Sequence, residues 1–354
     1  MTTESVVFPP ILVPPPSDDH LIWEVWLSSQ HFSVLTVTEE LGLFPLLARS
    51  PATAEEVAHS LTLALSSTQA LLGILTSLGF LAQHQKHFHL TEVSRTYLLP
   101  DSPYYYGPAL HLFCKQPMAH ETLRAVLQNR QTLTTFDEEV GNIADAMQAG
   151  DIPSARAEAL TQVVYCYSLP AALAVAQSGN FVGVRRLLDV GGGSGCFCIA
   201  LAQHYAEMSF CILELPSICP ITQRYIAAYG LEHRIDTRAA NMFLDAWPTG
   251  YDAVFFSNIL HMWDRQHCLQ LVRRSFEMLP PGGRIYLHEM LLNEAKDGPL
   301  TATDFSLLAF SMSLQGQQYS ARELTDLLRE AGFTLPDITA TSTSYSLISA
   351  LKPV

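Results

Sequence analysis

Basic residues are what this chain has least of. Its 354 residues hold 20 Lys and Arg against 34 Asp and Glu, a net charge of −14. Nucleic-acid binding takes clustered cations on the phosphates, so this balance excludes it. It opposes binding to an anionic membrane surface as well. No run of 18 or more consecutive apolar residues occurs, so no segment reads as bilayer-spanning. Residues 1–16 lack Lys and Arg and are broken by prolines, unlike a signal peptide with a basic start and a helical apolar stretch. Neither HxxxH nor HExxH occurs among the 13 histidines, so no metal is expected. The seven cysteines are odd in number and scattered; only Cys196 and Cys198 are close. They read as reduced thiols of a cytoplasmic protein. Internal repeats and low-complexity tracts are absent too.

What is present is a 48% apolar composition, enough for real cores, in a length that suits two domains. Pro9, Pro10, Pro14, Pro15 and Pro16 make residues 1–17 an extended arm. Residues 18–48 have a helical pattern, and Ser50 to Glu56 reads as an N-cap with an acidic first turn. A short helix to Ser60, a second at 66–78 and a hairpin of 80–82 with 87–90 follow. Together they read as a winged helix within residues 18–130. DNA binding is the obvious thought, but the second helix has no Lys or Arg. Residues 1–100 hold only Arg49, Lys86 and Arg95 against nine acids. A winged helix without cations is expected to pack or to dimerise. A helix over 105–128 is either a partner surface or core. Residues 131–178 read as connecting helices, after a polar, weakly patterned stretch at 129–154 and ending in a helix at 155–178.

From residue 185 strands and helices alternate. Strands are expected at 185–190, 209–215, 235–239, 252–257 and 284–291, and a late pair at 337–343 and 346–351. The fold class is therefore α/β, a parallel sheet over residues 179–354 with an antiparallel edge. Its ligand belongs beyond the carboxyl ends of the strands.

The stretch from Arg186 to Gly195 is the most informative. An apolar run ends in Asp189, and four glycines then fall within five residues. That is a strand breaking into a glycine turn and re-entering as a helix, so that backbone approaches a ligand at a helix N-terminus. Read as a dinucleotide loop, GxGxxG, its third glycine would fall on Cys196. The alternative is the nucleoside loop of S-adenosylmethionine (SAM) enzymes. Glu214 ends the second strand about 20 residues on, where an acid can accept from both ribose hydroxyls. Asn241 and Met242 follow the third strand, an amide for the adenine edge and a thioether for its face. His261 lies just past the fourth strand, where a base working near neutral pH belongs. His288 and Glu289 alternate inside the next strand, so one of them faces the site. A carboxylate beside His261 would orient its imidazole.

Together these residues resemble the SAM-dependent O-methyltransferases of the caffeic acid and hydroxyindole type. The likeness runs from about residue 20 to 352. It is carried by Leu188 to Gly195, Leu213 to Pro216, Ile259 to Trp263, Leu279 to Arg284 and Glu330 to Phe333. It implies a Rossmann-like SAM-binding catalytic domain with an N-terminal, mainly helical winged-helix dimerisation domain, a homodimer, and S-adenosylhomocysteine as product, without a metal. By position it implies a cofactor site of Asp189, Gly191, Gly193, Glu214, Leu215, Asn241, Met242, Ser257 and Asn258. Asn241 stands where the family usually has Asp, and Ser257 replaces a frequent Lys. His261 matches the catalytic base, Glu289 its flanking carboxylate, and Gln318 falls where a second Glu is common. Met262 replaces the Asp that often follows the base. The acceptor implied is an aromatic or enolic hydroxyl of a small secondary metabolite. Tyr165, Phe305, Leu308 and Met312, with Phe310 and the segment 165–168, would form its pocket or else be helix core. Met262, Gln318 and Ser257 leave open a hydroxylase or pericyclase of the same fold that keeps SAM. N- or C-methylation is a variant, and a SAM-sensing regulator is opposed by the acidic N-terminal half.

Overall fold

The computed structural model describes residues 14–114, 120–128, 143–150 and 152–354. The chain divides into two compact units, Met1–Pro100 and Asp101–Val354. The break falls earlier than the expected boundary near 130, and most of the expected N-terminal arm lies outside the described residues.

In the first unit three helices, α1 (His20–Ser28), α2 (His31–Glu40) and α3 (Leu43–Arg49), replace the single helical stretch read from the sequence. Gly42, at φ +73°, makes the second break in a left-handed conformation that side chains avoid. Helix α4 (Ala54–Leu61) opens on a capping box. Thr53 Oγ1 accepts from Glu56 N, and the Glu56 carboxylate accepts from Thr53 N. Helix α5 (Leu65–Ser77), the hairpin β1 (Leu81–His84) and β2 (His87–Leu90), and α6 (Glu92–Tyr97) complete the winged helix. Leu43, Phe44, Leu47, Val57, Leu72 and Leu75 form its fully buried centre. Helix α1 buries nothing; Leu21, Ile22, Val25 and Trp26 are 61–70% exposed.

The second unit opens with α7 (Gly107–Phe113), α8 (His120–Leu127), α9 (Ile143–Ala149) and α10 (Ser154–Gln177). The helix expected over 105–128 is thus two pieces, with 115–119 outside the described residues. Helix α9 stands where a patternless connection was expected. Among the described residues α10 alone is long and apolar enough to cross a bilayer. Here it packs along α7 and α11 (Cys196–His204).

The sheet strands and their helices then alternate. They are β3 (Arg186–Val190), β4 (Ser209–Glu214), α12 (Cys219–Ala228), β5 (Ile235–Ala239), β6 (Ala253–Ser257), α13 (Arg265–Met278) and β7 (Arg284–Glu289). After them come α14 (Leu300–Ser313), α15 (Ala321–Glu330), β8 (Thr334–Ala340) and β9 (Ser346–Leu351). The strand order is β5-β4-β3-β6-β7-β9-β8. Strands β3 to β7 run parallel, and β9 pairs antiparallel with both β7 and β8, which is the expected antiparallel edge. The central strands are buried along nearly their whole length because helices cover both faces. Alternation sends Leu188, Val254, Phe256 and Leu287 to one core and Leu187, Phe255 and Tyr286 to the other. The chain lays β4 and β5 on one side of β3, then crosses to place β6 on the other. That reversal opens a crevice at the carboxyl ends of β3 and β6.

Candidate active site

Between β3 and α11 the chain turns through three consecutive glycines. Gly191 and Gly193 have φ of +73° and +56°. A Cβ on Gly191 would come within 2.5 Å of Ile259 Cδ1 and push that side chain aside, while the positive φ is what favours glycine. Both residues line a cavity at the strand ends. Glu214 lines it too, and its carboxylate is held from behind. Oε2 accepts from Gly193 N at 2.9 Å and Oε1 from Leu215 N at 2.7 Å. Burial pushes the Glu214 pKa up, against the pull of these two donors. Each oxygen still has a lone pair for a diol. Leu215, Ile218, Ala240, Met242 and Met147 make the adjoining wall apolar.

The segment after β6 builds the other half. Asn258, at φ +56°, turns the strand into a single 3-10 turn, Leu260–Met262, which carries His261. His261 is buried, and its Nδ1 lies 2.8 Å from Glu289 Oε2 at the end of β7. Glu289 Oε1 accepts from Ile259 N at 3.0 Å and Leu260 N at 2.8 Å. A carboxylate oxygen accepts, so Nδ1 is the donor here, and in the neutral imidazole Nε2 then keeps its lone pair. His261 lines the cavity, and the Phe305 ring meets it edge-on at 5.2 Å between centroids. His288 points the other way, as strand alternation requires. It is fully buried, 2.9 Å from Ser257 Oγ and 3.1 Å from Thr341 Oγ1, and stacked on Tyr345. Burial pulls its pKa down to about 3, so it stays neutral.

Of the residues expected at the site, Gly191, Gly193, Glu214, Leu215, Met242, Ser257, Asn258, His261 and Met312 line this one cavity. Both side-chain polar atoms of Asn258 are buried there without a hydrogen-bond partner. The carboxylate, the open glycine turn and the apolar wall fit a nucleoside ligand such as SAM. Among the described residues no group of three or more His, Cys, Asp or Glu could hold a metal.

Six expectations need correction. Asp189 is buried beneath the glycine turn and does not line the cavity; Cys198 Sγ donates to its Oδ2 at 3.3 Å. Burial lifts its pKa to about 7, against the pull of that bond and with the help of the Glu214 charge. Asn241 is not on the cavity wall either, because its amide is bonded within the protein. Tyr165 packs on Tyr225 and bonds the Tyr229 hydroxyl at 2.9 Å. Two residues further along the helix is a turn of roughly 200°, so Tyr167 is the one facing the cavity. Leu308 and Phe305 do not line the cavity, although the Phe305 ring packs on His261. Gln318 makes no bond to His261: its N–H donates to Ser306 Oγ at 3.0 Å, and its buried amide has no partner.

Sequence reasoning missed Met147, Leu160, Thr161 and Val164, which line the cavity from α9 and α10. It also missed Gln317, whose backbone N–H donates to His261 O at 2.8 Å. A main-chain contact of that kind has no side-chain signature.

The family model of the O-methyltransferase domain matches residues 125–334, and that of the O-methyltransferase dimerisation domain matches residues 23–100. The chain is 34% identical over 300 residues, 84% of each protein, to 3-hydroxy-5-methyl-1-naphthoate 3-O-methyltransferase of Streptomyces sahachiroi. It is 36% identical over 152 residues, 43% of this chain and 42% of the other, to L-tyrosine C(3)-methyltransferase of Streptomyces lavendulae. Human N-acetylserotonin methyltransferase, solved in complex with SAM, shares the fold. Its TM-score is 0.79 over 96% of this chain and 100% of that one, at 22% identity. With both domains matched and a relative this similar over most of its length, the chain belongs to the SAM-dependent O-methyltransferase family.

Proposed function

We propose that this enzyme methylates a hydroxyl of a small aromatic or enolic metabolite, with His261 as general base, and that it works as a homodimer. The observation that carries the reading is the His261–Glu289 pair opening on the cavity that Glu214 also lines. SAM supplies an electrophilic methyl group when bound. What remains for the protein is to align an oxygen and remove its proton. His261 Nε2 takes that proton, and the Glu289 carboxylate stabilises the imidazolium. Such a base is worth roughly 10²–10⁴-fold in rate. Glu214 holds the ribose hydroxyls. Gly191 and Gly193 border the methionine portion, and Leu215, Met242, Ser257 and Asn258 line the rest.

Met312 and Tyr167 form the acceptor wall, and Phe305 backs the His261 ring. Burial pushes the Tyr167 pKa up, so its hydroxyl stays protonated and can donate to the acceptor. Gln318 has no catalytic part in this scheme. The exposed apolar face of α1 overlaps the matched dimerisation domain, and a second copy of the chain would cover it. Seven free thiols suit a reducing, cytoplasmic setting.

The test is transfer of label from methyl-labelled SAM into a panel of phenols and naphthols, wild type beside His261→Ala. Label in the wild-type product, absent with a variant that still binds SAM, supports the reading. Product NMR shows whether oxygen or carbon was methylated. SAM binding with no transfer to any acceptor would favour the non-methylating alternative.

A further inference from the structure

Asn241 was expected to read an adenine edge, yet both its polar atoms are engaged. Oδ1 accepts from Phe243 N at 2.9 Å, and Nδ2 donates to Gln148 O at 2.6 Å. A backbone N–H only donates and a carbonyl only accepts, so the carboxamide can point only this way. Gln148 lies on α9 and makes a second tie. Its Nε2 is 3.1 Å from His267 Nε2, while His267 Nδ1 is 2.9 Å from Asp264 Oδ1, the N-cap of α13. The carboxylate oxygen accepts from Nδ1–H, which in the neutral ring leaves Nε2 to accept from the amide. The end of α9 closes on the same place. Gly150, at φ +76°, would put a Cβ 3.5 Å from Asn241 Nδ2 and 3.8 Å from a Leu215 methyl. Between these ties Met147 reaches the cavity wall, which it shares with Met242, Leu215 and Ile218.

We propose that Asn241 is a positioning residue: it tethers α9 across the β4–β5 end of the cleft and so sets Met147 and Met242 as the thioether walls of the nucleoside site. The proposal rests on reading that cleft as the SAM site. Thioethers are polarisable and suit the face or edge of a purine. The tether explains why the amide at 241 matters without touching the ligand.

The deciding variant is Asn241→Asp. Aspartate keeps the acceptor for Phe243 N but turns a second acceptor on Gln148 O, which breaks the tie. SAM and S-adenosylhomocysteine binding by calorimetry should weaken by the same factor, about 10-fold. In the ligand-free protein the amides of α9 should exchange hydrogen faster, while those of α13 and the sheet keep their rates. If residue 241 contacts adenine directly, the carboxylate still accepts from the exocyclic amine. Unweakened binding with unchanged α9 exchange would therefore overturn the tether. His267→Ala is the second variant; it cuts the outer tie, together with the ring's contacts to Phe243 and Trp263, and leaves the Asn241–Gln148 bond in place. It should give a smaller loss of affinity with the same local loss of protection, and neither effect would count against the proposal. Wild-type protein that fails to bind SAM overturns the reading of the cleft, and this proposal with it.

Discussion

Glu289 divides its two oxygens between different tasks, and a single-atom change exposes the division. Oε1 takes Ile259 N and Leu260 N, and Oε2 takes His261 Nδ1. In Glu289→Gln the amide oxygen must meet the two backbone donors, so its NH2 faces Nδ1. That nitrogen must then accept, the imidazole proton moves to Nε2, and the base is lost. We expect kcat to fall about 10²–10⁴-fold with SAM affinity near wild type, by steady-state kinetics and calorimetry. A kcat that survives would remove His261 from the mechanism. Asp189 gives a second prediction. Its folded pKa of about 7 lies above the ordinary 3.8, because burial favours the neutral form. Protonated Asp189 therefore adds stability that is fully present below the unfolded pKa and is lost as pH rises through about 7. Melting midpoints of wild type should drop across that window relative to Asp189→Asn, which stays neutral. Parallel curves by scanning fluorimetry would show that Asp189 does not titrate there. His261, Glu289 and Glu214 were legible because each ends a strand or follows one, and strand ends can be read from a pattern. The engagement of Asn241 was not, since its partner, Gln148, lies 93 residues away in sequence.

At the scale of elements, α10 shows how a helix sorts neighbours. Tyr165 faces α12 through Tyr225, and Tyr167 faces the cavity. Tyr165→Phe should cost about 0.5–1.5 kcal/mol of stability through the lost Tyr229 bond and leave kcat/KM unchanged. Tyr167→Phe should leave the melting midpoint in place and raise KM for the acceptor. If the two variants exchange these phenotypes, the helix face has been assigned wrongly. Strands β3, β4, β6 and β7 were readable as mainly apolar runs bounded by turns, whereas β5, Ile235–Ala239, is mostly polar. Helix α9 was hard to read because seven residues are too few to show a stripe, and its Gln148 is tied to other segments. The break between α2 and α3 depends on one left-handed glycine inside a pattern that otherwise continues.

At the scale of the molecule, α1 is a helix whose apolar side chains are uncovered. A monomer would leave Leu21, Ile22, Val25 and Trp26 in water at 61–70% exposure, on a helix with no buried residue. Apolar area removed from water is worth roughly 25 cal/mol per Å², so four such side chains meeting a second copy are a substantial driving force. An isolated nine-residue helix is also too short to hold itself together, which makes packing the source of its order. The match of residues 23–100 to a dimerisation domain points the same way. Light scattering should therefore give about twice 39.1 kDa, and the melting midpoint should rise with protein concentration. Ile22→Asp with Trp26→Asp should bring the mass to that of one chain and abolish the concentration dependence. A wild-type particle of 39.1 kDa that melts independently of concentration would leave α1 as an exposed helix and remove the homodimer.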